Sequence, residues 1–349
     1  MSGYFKSILE WMYSWLGNYG WSVVLFTFVV RMVLLPLDIR SKKSMRAMTK
    51  VQPKVQALQK KYANDKEKLN VKLNELYKKE HVSPMAGCLP MLISLPILWW
   101  MFAGMRQLAN EQTVSMLLNM KTQLESGATP EAVAESVRAG MQSWLWIKNV
   151  FQPDMITTIL PKVGDSLTTI TTVANSTILT TENLEAVRAF LSTDAYVSVA
   201  NLFGASQFMQ IPLSLVIINP TITLPASVSA LMQYSNGFCI LPIAAALSQF
   251  FMTKITAMQQ GGKKKTTDPE LAEEEQAAAD ATNAMNSGFM KWFFPLFSLY
   301  ICAGYNAAFA IYWMAANVIQ IVQQVAVNWY FDRKDAQGEI IEVDETSVK

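Results

Sequence analysis

The chain is poor in charge, in histidine and in cysteine. Asp, Glu, Lys and Arg make up 16% of its 349 residues, against roughly 25% in an ordinary soluble domain. It has one histidine, His81, and three cysteines, Cys88, Cys239 and Cys302. No pair of these stands at a metal-ligand spacing, which excludes a zinc ribbon or finger. All three cysteines lie in apolar stretches, where a thiol reads as a small apolar side chain. His81 ends a basic segment and reads as a solvated loop residue. There is no Gly-rich phosphate loop, no nucleophile beside a base and no carboxylate pair inside an apolar segment. The residues therefore point to a protein that is not an enzyme, with no cofactor and no metal.

What the chain does have is apolar runs; 51% of its residues are hydrophobic. Its charge is unevenly spread. Arg40–Glu80 holds 13 basic and 4 acidic residues, whereas Arg106–Asn236 holds 6 basic and 9 acidic. Short lysine-rich segments stay on the cytoplasmic side of a membrane. The pattern predicts an all-α polytopic membrane protein with five transmembrane helices. The spans fall at residues 21–37, 85–105, 236–255, 289–305 and 306–330. Around them lie an interfacial amphipathic helix (1–20), a cytoplasmic basic helical hairpin (40–82) and an extracytoplasmic insertion (106–235). A cytoplasmic loop (256–288) and an acidic cytoplasmic tail (331–349) complete the chain. The N-terminus falls outside and the C-terminus inside.

Several local expectations follow. In the first segment Tyr4, Phe5, Ile8, Leu9, Met12, Trp15 and Leu16 recur at helical spacing, which suits a helix lying in the membrane interface rather than a cleaved signal. In the hairpin, Met45, Met48, Val55, Leu58 and Tyr62 form one apolar stripe, and Leu69, Leu73, Leu76 and Tyr77 a second. Pro53 should kink or interrupt the first hairpin helix. Asn64 with Glu67 resembles a capping box that starts the second. Pro90 and Pro96 should bend the second span. The hairpin's charge has two readings: a positive-inside signal alone, or docking to anionic headgroups, the ribosome or a nascent chain through Lys60, Lys61, Lys78 and Lys79. Lys263–Lys265 has a similar pair of readings. Inside the insertion, "AYVSVANLFGASQFMQIPLSLVII" is charge-free over residues 195–218. It leaves a sixth span as an alternative, although its polar residues lower the score.

One residue breaks the apolar pattern. "WSVVLFTFVVRMVLLPL" is a span-length run with Arg31 near its middle. An arginine at that depth costs about 2.5–3.5 kcal/mol on insertion scales. No acidic residue within a span can pair with it. It either snorkels to an interface or faces water and awaits an anionic partner. Other polar residues in the spans are Thr27, Ser94, Gln249, Tyr312, Trp313, Asn317, Gln320, Gln323 and Gln324. Asn317 and Gln320 share a helix face, with Gln324 one turn later. A transporter with Arg31 as an anion site is the rival reading, but no internal repeat and no second intramembrane charge support it.

These blocks carry a family resemblance: "GWSVVLFTFVVRMVLLPL", "MRAMTKVQPKVQALQKKYANDKEKLN", "ELYKKEHVSPMAGCLPMLISLPI", "WLWIKNVFQPD", "ILPIAAALSQFFMTK" and "MKWFFPLFSLYICAGYNAAFAIYWMAANVIQIVQQ". In order and spacing the chain resembles the YidC family of membrane protein insertases, the bacterial form without the large periplasmic domain. The resemblance implies a five-helix core around a hydrophilic groove in a bacterial cell membrane. Arg31 matches the groove arginine, Thr27 its neighbour and Gln249 a polar groove residue of the third span; Ser94, Asn317 and Gln320, polar within their own spans, are read as groove candidates beside them. Tyr312 and Trp313 match an aromatic pair that contacts substrate helices. The implied partners are nascent membrane proteins, the ribosome and anionic lipids, with the Sec translocon left open and no nucleic acid bound directly. Two departures stand out. Family members pass from "QPD" to "ILP" within a few residues, but here 85 residues separate Asp154 from Ile240. The tail is acidic, whereas some relatives carry a basic, ribosome-tethering one.

Overall fold

The computed structural model describes residues 2–80, 82, 89–174, 176–212, 221–259 and 288–336. Two units form: Met1–Phe26 with Trp100–Ala245 and Ser298–Met314, and Thr27–Trp99 with Ala246–Phe297 and Ala315–Lys349. The long helices that contribute to them are α2 (Tyr19–Lys61), α4 (Leu89–Glu125), α9 (Ile240–Gln259), α10 (Gly288–Gly304) and α11 (Ala307–Ala336). By length and composition, Tyr19–Met48 and Ala307–Lys334 could each cross a membrane, and Ile240–Thr256 is a shorter apolar helix.

The first unit opens with α1 (Ser2–Leu16). Its apolar residues divide into two neighbouring stripes. Phe5, Leu9 and Met12 are buried, whereas Tyr4, Ile8, Trp11 and Trp15 are exposed. Phe5 fills the space over Gly104, where an added Cβ would come within 2.4 Å of its ring. It also meets Phe26 edge-on at 5.0 Å. The expected interfacial helix thus commits half of its apolar surface to the protein.

The insertion is folded. α4 does not stop at Met105 but runs on to Glu125, and Val114, Leu117 and Met120 on this extension found a core. Around it pack α5 (Pro130–Gly140), α6 (Thr181–Phe190) and α7 (Asp194–Leu202), through Val133 and Val137, Leu184 and Val187, and Tyr196 and Val199. These are the i, i+3, i+4 positions of amphipathic helices, and each fully buried side chain contributes about 1.5–3 kcal/mol. Three threonines of the segment are helix caps. Thr129, Thr180 and Thr193 each accept the N–H three residues on, a bond that satisfies an orphan donor of the first turn.

The charge-free segment at 195–218 is not a continuous helix. α7 ends at Leu202, and Gly204 takes the left-handed conformation at φ +77°. A Cβ there would lie 2.3 Å from the Tyr234 ring. A short 3-10 turn (Ala205–Gln207) then leads into β1 (Phe208–Pro212). β1 pairs antiparallel with β2 (Thr221–Pro225), with Gln210 opposite Thr223. After β2, α8 (Val228–Tyr234) leads to α9. A left-handed glycine and a strand end the apolar run as a helix, so the alternative of a sixth helical span there is set aside.

In the second unit α2 continues unbroken into the hairpin, so the first span and the first hairpin arm are one helix of 43 residues. Of the two outcomes expected at Pro53, a kink or an interruption, the helix shows no interruption there. Likewise Pro96 lies inside the single helix α4. The second arm, α3 (Lys66–Lys79), is capped by Asp65, whose carboxylate accepts the Lys68 N–H at 3.0 Å. The cap is thus one residue later than the Asn64 expected. Val51, Val55 and Val82 form a small core with Met48, Leu73, Leu76 and Tyr77, close to the two stripes read from sequence.

α9 runs to Gln259 and α11 to Ala336, beyond the expected ends at 255 and 330. His81, Cys88, Lys263–Lys265 and the tail from 337 lie outside the described residues.

Candidate functional site

Arg31 sits mid-way along α2's apolar stretch, half-buried. Among the described residues its guanidinium makes no hydrogen bond and no ion pair within 4.0 Å. Asp38, two helical turns further on, lies near enough for its carboxylate to feel the Arg31 charge. Asp38 falls just past the expected span end, so the arginine is not electrostatically alone as its span suggests. Thr27, one turn before Arg31, is fully buried.

α11 presents its amides to this unit. The Gln323 side chain donates to the Arg31 carbonyl oxygen at 3.1 Å. Asn317 donates to Ser248 Oγ at 3.1 Å, and Gln324 Nε2 lies 3.5 Å from Met252 Sδ. The carbonyl oxygens of Gln323 and Gln324 are buried and have no hydrogen-bond partner among the described residues. A buried amide left half-satisfied destabilises the fold by about 1–3 kcal/mol, so these acceptors are suited to a donor that arrives later. Asn317 and Gln324, seven residues apart, both reach α9. Their partner on α9 is Ser248 rather than the neighbouring Gln249, whose side chain is half-buried. Gln320 is half-buried as well. The Ser94 backbone belongs to α4, but its side chain lies outside those described.

Tyr312 and Trp313 belong to the first unit. Tyr312 is buried, and Trp313 stacks obliquely on Phe309 at 5.6 Å. The Trp313 indole N–H is buried without a partner among the described residues.

Sequence reasoning missed two polar centres of the first unit. The first explains the 85-residue separation. Asp154 is fully buried and accepts from the N–H groups of Phe238 (2.8 Å) and Leu241 (2.6 Å) and from the Trp146 indole (3.3 Å). Its carboxylate thereby caps α9 from far away in sequence. Gly237 is required beside it, because a Cβ there would lie 1.8 Å from Asp154 Oδ1. The insertion leaves and returns at one point: Gly237 N–H donates to the Met155 carbonyl, and Asn236 N–H to that of Thr157, both at 3.1 Å. The same segment caps α11, whose Ala307 and Ala308 N–H groups donate to the carbonyls of Gln152 and Val150 at 2.9 Å. Orphan N–H groups at two helix starts are thus satisfied by one loop.

The second centre is Glu111, buried on α4. It accepts from Lys6 Nζ (2.6 Å), Gln107 (2.9 Å) and Ser176 (2.9 Å). Burial pushes its carboxyl up, but the hydrogen bonds and the Lys6 charge outweigh that and hold it below the usual range. Lys6 loses some basicity to burial, yet the Glu111 carboxylate leaves it raised overall.

On the hairpin, Lys61, Lys78 and Lys79 are exposed, and the Lys60 side chain lies outside those described. Lys54 pairs with Glu80 at 2.6 Å. Among the described residues no group of three or more His, Cys, Asp or Glu side chains could hold a metal ion.

The molecule thus combines an arginine held mid-helix without an ion-pair partner among the described residues, a polar face of α11 and a loop that caps α9 and α11. Residues 11–334 match the family described as 60Kd inner membrane protein. The chain belongs to that family. A membrane protein insertase YidC of Fusobacterium nucleatum is 45% identical over 92 residues, 26% of this chain and 45% of the relative. The protein of that name from Caldanaerobacter subterraneus is 40% identical over 114 residues, 33% of this chain and 55% of the relative. That from Wolinella succinogenes is 46% identical over 90 residues, 26% of this chain and 17% of the relative. The matched stretch thus spans little more than half of these relatives' own lengths at most. Membership of the 60Kd inner membrane protein family agrees with the helical fold and with the apolar helices expected of a membrane protein.

Proposed function

We propose that this protein is a membrane protein insertase that moves short hydrophilic ends of nascent membrane proteins through a polar intramembrane groove and releases their apolar segments into lipid. The observation that carries the reading is Arg31, a mid-helix guanidinium with no ion-pair partner among the described residues, in one unit with the half-satisfied amides of Gln323 and Gln324. Family membership and the names of the relatives support the same reading.

In this mechanism five helices span the membrane, with the hairpin and C-terminus inside and the insertion outside. Thr27, Arg31, Ser94, Gln249, Asn317 and Gln320 line the groove. Arg31 attracts the carboxylates of an incoming tail, and free amide acceptors take its N–H groups, which lowers the desolvation penalty of carrying polar groups partway across. The apolar segment then slides past Tyr312 and Trp313 into lipid. Exposed apolar side chains such as Val33, Phe251, Trp292 and Val322 suit a lipid-facing surface. Lys60, Lys61, Lys78 and Lys79 dock the hairpin on anionic lipid or the ribosome. The driving free energy comes from burying the substrate's apolar segment in the bilayer.

The test is site-specific photo-crosslinking. Probes at positions 27 and 313 should each capture a stalled nascent membrane protein. Adducts with lipid alone at both positions would remove the groove from the mechanism.

A further inference from the structure

One turn of the insertion is strained, and its strained residue points outward. Trp144 and Ile147 exchange both backbone hydrogen bonds, at 3.0 and 2.9 Å, around the two-residue loop Leu145–Trp146. Leu145 takes φ +51°, and Trp146 does not share the positive φ. That is the pattern of a type II′ hairpin turn, whose first central position ordinarily belongs to glycine. A side chain there crowds the backbone. Yet the residue is a leucine, and it is 64% exposed. Its neighbours turn inward: Trp144 and Ile147 are buried, and Trp146 donates its indole N–H to Asp154 at 3.3 Å. A singly exposed leucine is common. An exposed leucine where glycine would relieve the turn is not accounted for by folding.

The first unit fixes where this side chain sits. The Trp144 ring lies over Gly20 of α2, where an added Cβ would come within 2.3 Å of it, and meets Trp21 edge-on at 5.6 Å. Asn18 accepts the Trp21 N–H at 3.2 Å, which caps α2, and donates to the Ser143 carbonyl at 2.8 Å. The turn is therefore clamped to the first turn of α2. That helix start opens the stretch Tyr19–Met48, long and apolar enough to cross a membrane. Trp21 is half exposed there, and Leu25, one turn on, is exposed too. Tryptophan concentrates where a spanning helix leaves the acyl chains for the headgroups. No charged residue stands within Ala139–Ile147 to oppose entry into lipid.

We propose that Leu145 is a membrane wedge: its side chain enters the acyl layer beside Trp21, at the membrane face where α2 begins, and pins the base of the insertion to the bilayer. This rests on the reading of α2 as a span. Burial in lipid then offsets the strain of the turn, which a glycine would avoid but could not exploit. Lipid is favoured over a protein partner because Trp21, packed against the turn, belongs to the end of a helix that the same bilayer would surround.

The test places the full-length protein, freed of its three native cysteines, in nanodiscs of phosphatidylcholine and phosphatidylglycerol. Part of the lipid carries a nitroxide on a shallow acyl carbon. A fluorophore is attached through Leu145→Cys, Leu25→Cys, Ser143→Cys or Glu131→Cys, one at a time. The lipid nitroxide should quench the labels at 145 and 25 strongly and the label at 131, on exposed α5 surface, weakly. The label at 143 reads the leucine itself. Leu145→Asp should remove most of the quenching seen there, and aspartate tolerates the left-handed conformation, so the turn is kept. Strong quenching at 25 with quenching at 145 no greater than at 131 overturns the wedge and leaves the span reading standing; a nascent chain or a second copy covering Leu145 would give this result. Quenching at 143 that Leu145→Asp leaves unchanged overturns the wedge as well. Absence of quenching at both 25 and 145 overturns the span reading and the wedge with it.

Discussion

Gln323 holds the backbone carbonyl of Arg31 at 3.1 Å, across 292 residues of sequence. The contact fixes the main chain of α2 at Arg31, whose guanidinium makes no hydrogen bond and no ion pair within 4.0 Å among the described residues.

Arg31→Ala should fold and keep its helices, since no ion pair within 4.0 Å is lost among the described residues. Removing the charge frees Asp38 from its influence, an effect confined to one helix. An attractive pair about 4 Å apart at an effective dielectric near 20 is worth roughly 4 kcal/mol before desolvation. Insertion should fall most for substrates whose translocated tails carry several aspartates, and Arg31→Lys should restore part of it. Equal insertion by wild type and Arg31→Ala across a graded aspartate series would leave Arg31 a snorkelling residue.

Asp154→Ala should destabilise the first unit by about 3 kcal/mol, because two buried N–H groups and an indole lose a charged acceptor. Asp154→Asn keeps an acceptor and should lose roughly half of that. Gly237→Ala should be as damaging as Asp154→Ala, since its Cβ would overlap the carboxylate. Thermal unfolding in detergent, followed by proteolysis of the insertion, measures all three.

The α1 contact should be pH-dependent in a defined sense. Glu111 titrates below its ordinary range in the folded state. Its contribution is therefore complete above the unfolded carboxylate pKa of roughly 4.3 and is lost as pH falls through the lower folded value. Lys6 titrates above its ordinary range, so its contribution is complete below roughly 10.4 and is lost as pH rises through the higher folded value. A pair of spin labels placed on α1 and α4 should keep one distance across neutral pH and separate only in strong acid or strong base. Lys6→Ala should destabilise by about 2 kcal/mol, less than a fully buried pair because the lysine is partly solvated. Separation of the labels near pH 7 would contradict this account.

Topology and hairpin charge can be tested together. Single cysteines near Lys66 and Glu131, in a cysteine-free background, should label from opposite sides of intact cells. Neutralising Lys60, Lys61, Lys78 and Lys79 should weaken binding to anionic vesicles, an effect that salt screens over about 10 Å at 0.1 M. Unchanged binding would return those charges to a positive-inside signal.

Periodicity and charge asymmetry revealed the helical class, the hairpin core and the polar stripe of α11, because these depend on spacing within one segment. What spacing cannot show is a partner far away in sequence. Asp154 reads as one more loop carboxylate until Phe238 and Leu241 are brought to it. Glu111 likewise needs Lys6 and Ser176. The capping roles of Thr180 and Thr193 show only once the helices they start are in place. The break at Gly204 depends on the Tyr234 ring packed over it. Ser248 and Gln249 stand about 100° apart around a helix, and spacing within one segment does not say that Ser248 is the one that meets Asn317 of α11.

The unbroken α2 ties the hairpin to Arg31 by rotational phase. Thr27–Lys61 is one continuous helix, so the hairpin's first arm and the Arg31 charge share one screw axis. One residue inserted between Arg40 and Ala47 would turn the hairpin by about 100° and advance it about 1.5 Å relative to Arg31. On the proposed mechanism, a ribosome or lipid surface that orients the hairpin would therefore also set the azimuth at which Arg31 meets an incoming tail.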